Sequence, residues 1–279
     1  MKLVMTLLVR DEIDIVAANI DYHLARGVDF VIATDNLSTD GTREVLEQYR
    51  ARGLLHLILE PEDNYAQHRW VTRMARLACT EFGADWVINS DADEFWWPDA
   101  APDLRQALQA LPAAAAAASA PRHNFVPRPA TTGADFIATM TIRHARSTNA
   151  IGAPLPPKVC HRAYPDIEVA QGNHFAGRCG RLFDAVAAPI GILHFPLRTY
   201  RQFANKIALG GAAYARSPEL VREGFGDAWR AMYAQLKRGE LERYYHEQEL
   251  GEAEIAKRLA DGSLVRDERL KDFFLRGAA

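Results

Sequence analysis

Cysteine is scarce in this chain. Its three cysteines, Cys79, Cys160 and Cys179, are far apart and form no C-x-x-C pair, which excludes a disulfide framework and a thiolate zinc centre. Such usage fits a reducing compartment, so the expected location is the cytoplasm, with the inner face of a membrane left open. Long apolar runs are absent as well. The N-terminal LVMTLLV (Leu3–Val9) runs straight into Arg10, Asp11 and Glu12. It is too short to span a bilayer and has no cleavage-site pattern, so a buried strand is expected there. Excess charge of either sign is missing: 33 basic against 36 acidic residues give a net charge of −3, with an isoelectric point near 6.3. That balance removes the whole-molecule electrostatic case for nucleic acid. No internal repeat is visible.

What is present is an alternation. Of 279 residues, 48% are hydrophobic, enough to bury a full core. After Leu3–Val9, the residues Val16, Ile20 and Leu24 recur every four positions and stop at Gly27, the pattern of a helix and its C-terminal cap. Phe30–Ala33 is a second strand candidate. It empties into TDNLSTDGT (Thr34–Thr42), rich in turn and capping residues, before a helix with Val45, Leu46 and Tyr49 inward. Leu54–Leu59 is a third strand, Tyr65–Phe82 a long helix and Asp85–Ser90 a fourth strand. Continuous apolar strands alternating with helices predict a mostly parallel sheet covered on both faces. Ligands of such sheets bind beyond the carboxyl ends of the strands. Arg10-Asp11, Asp35-Asn36 and the Asp91-Ala92-Asp93 run should therefore share one edge. Beyond Pro98 the pattern fades: Ala113–Ala118 is a helix by propensity, while Phe136–Ala145, Lys158–Tyr164 and Ile190–Phe195 read as short strands. From Thr199 onward helices dominate, with a charged, peripheral stretch at Leu241–Phe274.

The stretch ADWVINSDADEFWWP (Ala84–Pro98) sets the chemical problem. Asp91, Asp93 and Glu94 repel one another at the end of a buried strand unless a cation lies among them. With 19 aspartates in 279 residues, chance alone supplies about one Asp-x-Asp pair, so position and not composition gives this one weight. A hard divalent ion held by aspartate oxygens together with substrate phosphates is the expected answer.

Four segments in order, YHLARGVD (Tyr22–Asp29), DNLSTDGT (Asp35–Thr42), NSDADEF (Asn89–Phe95) and LHFPLRTYRQFANKI (Leu193–Ile207), resemble the family 2 type glycosyltransferases with the GT-A fold. More narrowly they are similar to a bacterial subgroup with D-N-x-S-x-D-G-T, D-x-D and H-[YF]-P-x-R motifs. The resemblance implies an α/β fold with a GT-A-like, Rossmann-like, mostly parallel central sheet, helices on both faces and a helical C-terminal region. It implies a catalytic domain at 1–198, divided into a nucleotide-sugar half (1–98) and an acceptor-side half (99–198), followed by a helical extension (199–279). The implied activity is a metal-dependent, hexosyltransferase-type and inverting transfer. A sugar moves from a nucleotide-diphosphate donor to a saccharide or lipid-linked acceptor in cell-surface polysaccharide synthesis, and peripheral membrane association is left open.

By the same resemblance, Asp35 meets the nucleotide base with Asn36 beside it, and Asp91 faces the ribose or a metal-bound water. Asp93 holds Mn²⁺ or Mg²⁺ with Asp91, and His194 completes the metal shell. Arg10, Arg69, Arg198 and Lys206 are the candidate cations for the departing diphosphate. Asp40 is expected to cap the following helix. For the general base, Glu168, His174 and Asp184 lie in the expected region and none has a decisive context; His161 and His174 are weaker histidines than His194, and the Gln171–His174 stretch forms an acceptor loop or simply turns the chain. Trp96 and Trp97 form a sugar-stacking wall or plug the pocket floor. Three rivals are weighed. A haloacid-dehalogenase-like phosphohydrolase also places Asp-x-Asp after a strand, but its motif opens the fold. A nucleotidylyltransferase would need a glycine-rich basic loop where LVRDEID stands. A nucleotide-sugar-binding protein without turnover would be separated from an enzyme by donor hydrolysis.

Overall fold

The computed structural model describes residues 1–63, 66–129, 135–216 and 226–277. Two compact units divide the chain, one of Met1–Arg122 with Pro156–Leu193, the other of His123–Leu155 with His194–Ala279. Neither is continuous in sequence.

The first unit opens with β1 (Leu3–Val9), α1 (Val16–Ala25), β2 (Phe30–Asp35), α2 (Thr42–Ala51), β3 (Leu55–Leu59), α3 (Gln67–Thr80) and β4 (Trp86–Asp91). A short β5 (Glu94–Pro98), α4 (Leu104–Gln109) and β6 (Ala117–Ala120) follow. The chain then passes through β7 (Arg122–Asn124), α5 (Phe136–Thr139) and β8 (Ile142–His144). It returns as β9 (Lys158–Arg162), β10 (Ile167–Val169), a tight turn at Gln171–Asn173, β11 (Ala176–Arg178), β12 (Arg181–Leu182), β13 (Val186–Ala187) and β14 (Ile190–His194). The main sheet has the order β13-β6-β9-β4-β1-β2-β3. β4, β1, β2 and β3 are mutually parallel, β13 is parallel to β6, and β9 is antiparallel to both its neighbours. Nearly every residue of β1, β2 and β4 is buried whichever way its side chain points, which requires both faces of the sheet to be covered. Val71, Met74, Ala75 and Ala78, at helical spacing on α3, meet Val4, Ile32 and Val87 in one core cluster.

Two sequence expectations are corrected here. Ala113–Ala118 is not a helix: its last residues enter β6, whose Ala117, Ala118 and Ala120 have no exposed surface. Pairing with β9 outweighs alanine's modest helical preference, and the small side chains fit a fully covered strand. Phe136–Ala145 is not one strand either, because Phe136–Thr139 is helical and only Ile142–His144 is extended. The long helix begins at Gln67, and Tyr65, its expected start, lies outside the described residues.

In the second unit α6 (Tyr200–Lys206) runs into a π-helical turn at Ile207–Gly211 and α7 (Ala212–Arg216), followed by α8 (Asp227–Lys237), α9 (Leu241–Gln248), α10 (Glu252–Ala260), β15 (Leu264–Arg266) and α11 (Arg269–Gly277). β15 pairs antiparallel with β8. Asp267 follows it, 2.8 Å from both Arg143 and Arg269. Burial pushes its carboxyl up, but the two guanidiniums outweigh that and hold it below the usual carboxylate range. No described helix is long and apolar enough to cross a membrane.

His161 on β9 is fully buried, with Nδ1 2.9 Å from the Arg162 carbonyl and no partner for Nε2 among the described residues. Nδ1 therefore carries the proton, and burial pulls the pKa down to about 4. The unfolded chain binds more protons between that value and the ordinary 6.5, so stability is full above pH 6.5 and falls as the pH drops toward 4. One such imidazole carries on the order of 3 kcal/mol. His161→Asn is expected to lose that part of the acid sensitivity, measured as the difference in urea midpoints between wild type and variant at pH 6.5 and 4.5.

Candidate functional site

Strand register puts the predicted polar groups on one edge. Asp35, the last residue of β2, lies opposite Val9, and Asp91, the last of β4, lies opposite Leu8. Arg10-Asp11, Asp35-Asn36 and the acidic run thus leave three adjacent parallel strands at their carboxyl ends, as the apolar pattern implied.

The two loops over β1 and β2 bind each other. Asp11, with a left-handed φ of 54°, accepts from the Thr39 N–H at 2.8 Å, while its own N–H donates to Ser38 Oγ at 3.0 Å. Asp40 accepts from the N–H groups of Thr42 at 2.9 Å and Ile13 at 3.0 Å, although the cap position itself is Gly41. Asn36 donates to the Glu60 and Glu62 carbonyls at 3.1 and 2.8 Å, tying β2 to the end of β3. Asp35 is left at the bottom of this arrangement. Burial pushes its carboxyl up, hydrogen bonds from Ser38 pull it down, and the net shift is upward. Its Oδ1 is buried with no hydrogen-bond partner among the described residues.

The acidic run turns from β4 into β5 and is clamped from α1. Asn19, fully buried, donates from Nδ2 to the carbonyls of Ala92 at 2.9 Å and Glu94 at 2.8 Å. One turn on, the Tyr22 hydroxyl donates to the Trp96 carbonyl at 3.0 Å, and His23 Nε2 accepts the Trp96 N–H at 3.2 Å. That acceptance leaves the His23 proton on Nδ1, 2.8 Å from the Asn19 carbonyl. Burial lowers the His23 pKa to about 4, so the ring stays neutral and keeps this tautomer. Trp96 is wholly buried and offers no surface to a sugar, and the Arg26 guanidinium lies 4.5 Å over the Trp97 ring.

The charge of the run is met by residues that the sequence did not point to. Lys158 Nζ lies 2.5 Å from Asp91 and 3.3 Å from Glu94. Arg122 lies 3.6 Å from Glu94. β9 is antiparallel to β4, so its first residue arrives beside the last residue of β4. Amide groups of Gln67 and Asn173 approach the other Asp91 oxygen at 3.4 Å each. The Gln171–Asn173 turn is docked on α3 through Gln171 to the His68 N–H at 3.1 Å and Gln67 to the Gly172 N–H at 3.2 Å. It carries His174, whose Nδ1 donates to the Pro157 carbonyl at 2.8 Å. Burial first, then Lys158 and Arg122, pull the His174 pKa down to about 4. Gly172 has φ +77°, and a Cβ there would stand 2.8 Å from the His174 ring, so glycine sets how closely the imidazole is held.

The remaining predicted residues have the following surroundings. Arg10 pairs with Asp63 at 2.6 Å, and Arg69 is exposed on α3. Glu168 is exposed on β10 and Asp184 is exposed after β12, and among the described residues neither side chain has a hydrogen-bond or ion-pair partner. In the second unit, His194 Nδ1 lies 2.6 Å from Asn124 Oδ1, Arg198 is fully buried with Nη1 donating to the Phe195 carbonyl at 3.0 Å, and Lys206 closes α6. Among the described residues no group of three or more His, Cys, Asp or Glu side chains gathers as for a metal. As arranged, Asp91 and Glu94 do not fit Mn²⁺ or Mg²⁺, because an ammonium already lies against their oxygens. The signal that could have found Lys158 was the repulsion itself: a lysine opening the buried run KVCHR is a ready counter-charge.

The family model described as Glycosyl transferase family 2 matches residues 11–164. No curated protein matches. Among solved structures, TarS 1-349 of S. aureus is 13% identical at a TM-score of 0.44, over 78% of this chain and 66% of that one. The chain thus spans just under two thirds of that relative. The same protein in complex with UDP-GlcNAc is 12% identical at 0.41, over 88% and 73%. A 4-diphosphocytidyl-2C-methyl-D-erythritol synthase is 11% identical at 0.30, over 77% and 84%.

Asn19→Ala takes both donations away, leaving the Glu94 carbonyl with Ser90 Oγ at 3.3 Å and the Ala92 carbonyl without its side-chain donor, and is expected to cost about 1–3 kcal/mol in a urea titration. Asn19→Asp, which presents acceptors to acceptors, is expected to cost at least as much; a variant as stable as wild type would show that the turn holds itself.

Proposed function

The chain belongs to glycosyl transferase family 2, and from that premise we propose that its first unit binds a nucleotide-diphosphate sugar and transfers the sugar to a saccharide or lipid-linked acceptor. The observation that carries the reading is Asp35, a buried carboxylate at the end of a central parallel strand with one oxygen unpartnered by the described residues. A base N–H can supply the missing hydrogen bond. Residues 1–98 hold the donor in this reading and 99–198 face the acceptor, with assembly of cell-surface polysaccharide as the setting. Membership of the family sets the phosphohydrolase reading aside.

An inverting transfer requires a proton acceptor for the incoming hydroxyl. Of the three candidates, His174 is the one whose environment is tied to the acidic cluster. With its proton on Nδ1 and a pKa near 4, it presents an unprotonated Nε2 throughout the neutral range. The role of Arg10, Arg69, Arg198 and Lys206 toward the diphosphate rests on the family resemblance alone, and the metal roles of Asp91, Asp93 and His194 are not carried forward.

Thermal-shift titrations with UDP, GDP, CDP and dTDP are expected to single out one base, and Asp35→Ala is expected to weaken that nucleotide by about 10- to 100-fold. Equal affinity in wild type and variant removes Asp35 from the base site. Donor hydrolysis without acceptor separates an enzyme from a pure binder. For His174, kcat/KM is expected to stay level as the pH falls from 8 and to drop only near 4. A limb at the ordinary histidine value near 6.5 would assign the base elsewhere.

A further inference from the structure

The acidic run is surrounded by donors. The Lys158 ammonium and the Arg122 guanidinium, with side chains only 2% and 10% exposed, face Asp91 and Glu94, and two amide groups approach Asp91 from the other side. Lys158 is held in place by its strand, paired through Ala120 with β6 on one side and beside the end of β4 on the other. Its side chain is buried, with the ammonium against the two carboxylates instead of in water. A divalent ion would need the same oxygens, and would have to share them with a like charge at contact distance.

We propose that Lys158 is the resident cation of this cluster, standing where a divalent metal would stand, so that nucleotide binding at this edge does not require one. The nucleotide half of this statement rests on the glycosyltransferase reading above; the metal half does not. A diphosphate approaching bare Asp91 and Glu94 would meet two negative charges, whereas with Lys158 and Arg122 against them both charges are matched. Lys158 is thus a positioning residue for the anionic part of the donor, acting through the carboxylates it neutralises.

The test uses the full chain and two probes. Mn²⁺ alone, without nucleotide, is titrated calorimetrically and by melting temperature into wild type, Lys158→Met and Lys158→Arg. The four nucleoside diphosphates are then titrated in chelator and in Mn²⁺. A ligand that binds only the native state raises the melting temperature, and for a chain of this size tight binding gives several degrees. The expected result is no saturable Mn²⁺ binding to wild type or Lys158→Arg, a new Mn²⁺-dependent stabilisation of Lys158→Met, and nucleotide binding to wild type that survives chelator. Saturable binding of Mn²⁺ alone to wild type, or nucleotide binding that vanishes in chelator, overturns the proposal, and both are read on wild type even where Lys158→Met does not fold. Failure of every nucleotide in both conditions overturns the glycosyltransferase reading instead, and the Mn²⁺-alone titration still decides whether Lys158 excludes the metal.

Discussion

The contact of one ammonium with two carboxylates organises this protein. A parallel sheet that ends in Asp91, Asp93 and Glu94 concentrates negative charge where its strands stop, and buried charge is tolerated only when it is paired and hydrogen-bonded. Lys158 answers that constraint, and it does so from a strand that runs against the direction of its neighbours. Had β9 joined the sheet in parallel, its first residue would have entered at the opposite edge. The single antiparallel insertion is therefore as much an electrostatic device as a topological one.

Around that contact, the turn between β4 and β5 is held from α1 as well as by its own Ser90 and Glu94 side chains. Asn19, Tyr22 and His23 occupy one face of α1 and between them engage the carbonyls of Ala92, Glu94 and Trp96 and the Trp96 N–H. Because the helix grips the backbone, the Asp91 and Glu94 carboxylates are left to Lys158, and a neutral His23 keeps its tautomer throughout the neutral range. The same division of labour recurs at the neighbouring strand end, where Asn36, Asp11 and Asp40 hold the loops and Asp35 keeps one oxygen that no described residue partners.

Much of this was legible in the sequence. Uninterrupted apolar runs separated by helical periodicities gave four parallel strands and the edge they share, and the motif order gave the family. What stayed hidden depends on long-range pairing. Lys158 lies 67 residues from Asp91, and no local pattern connects them. Arg122 and Gln67 resemble any surface polar residue until the strands are in place. The alanine run misled for a related reason, since propensity describes an isolated segment and Ala117–Ala120 is set by its partners. Conversely, Arg69 and Asp184 fit the expected regions by position, yet the folded chain leaves both exposed.

The discontinuity of the first unit bears on how the chain is made. Strands β1 to β4 leave the ribosome early and in order, but β9 enters between β4 and β6 only after residues of the second unit have been synthesised. The acidic edge is thus completed late, by a contact of high sequence separation whose loop-closure entropy must be met before it stabilises anything. Until then the nascent sheet carries an open β4 flank, the kind of unpaired strand that recruits other chains. Synthesis rate across residues 92–157 sets how long that flank stays open.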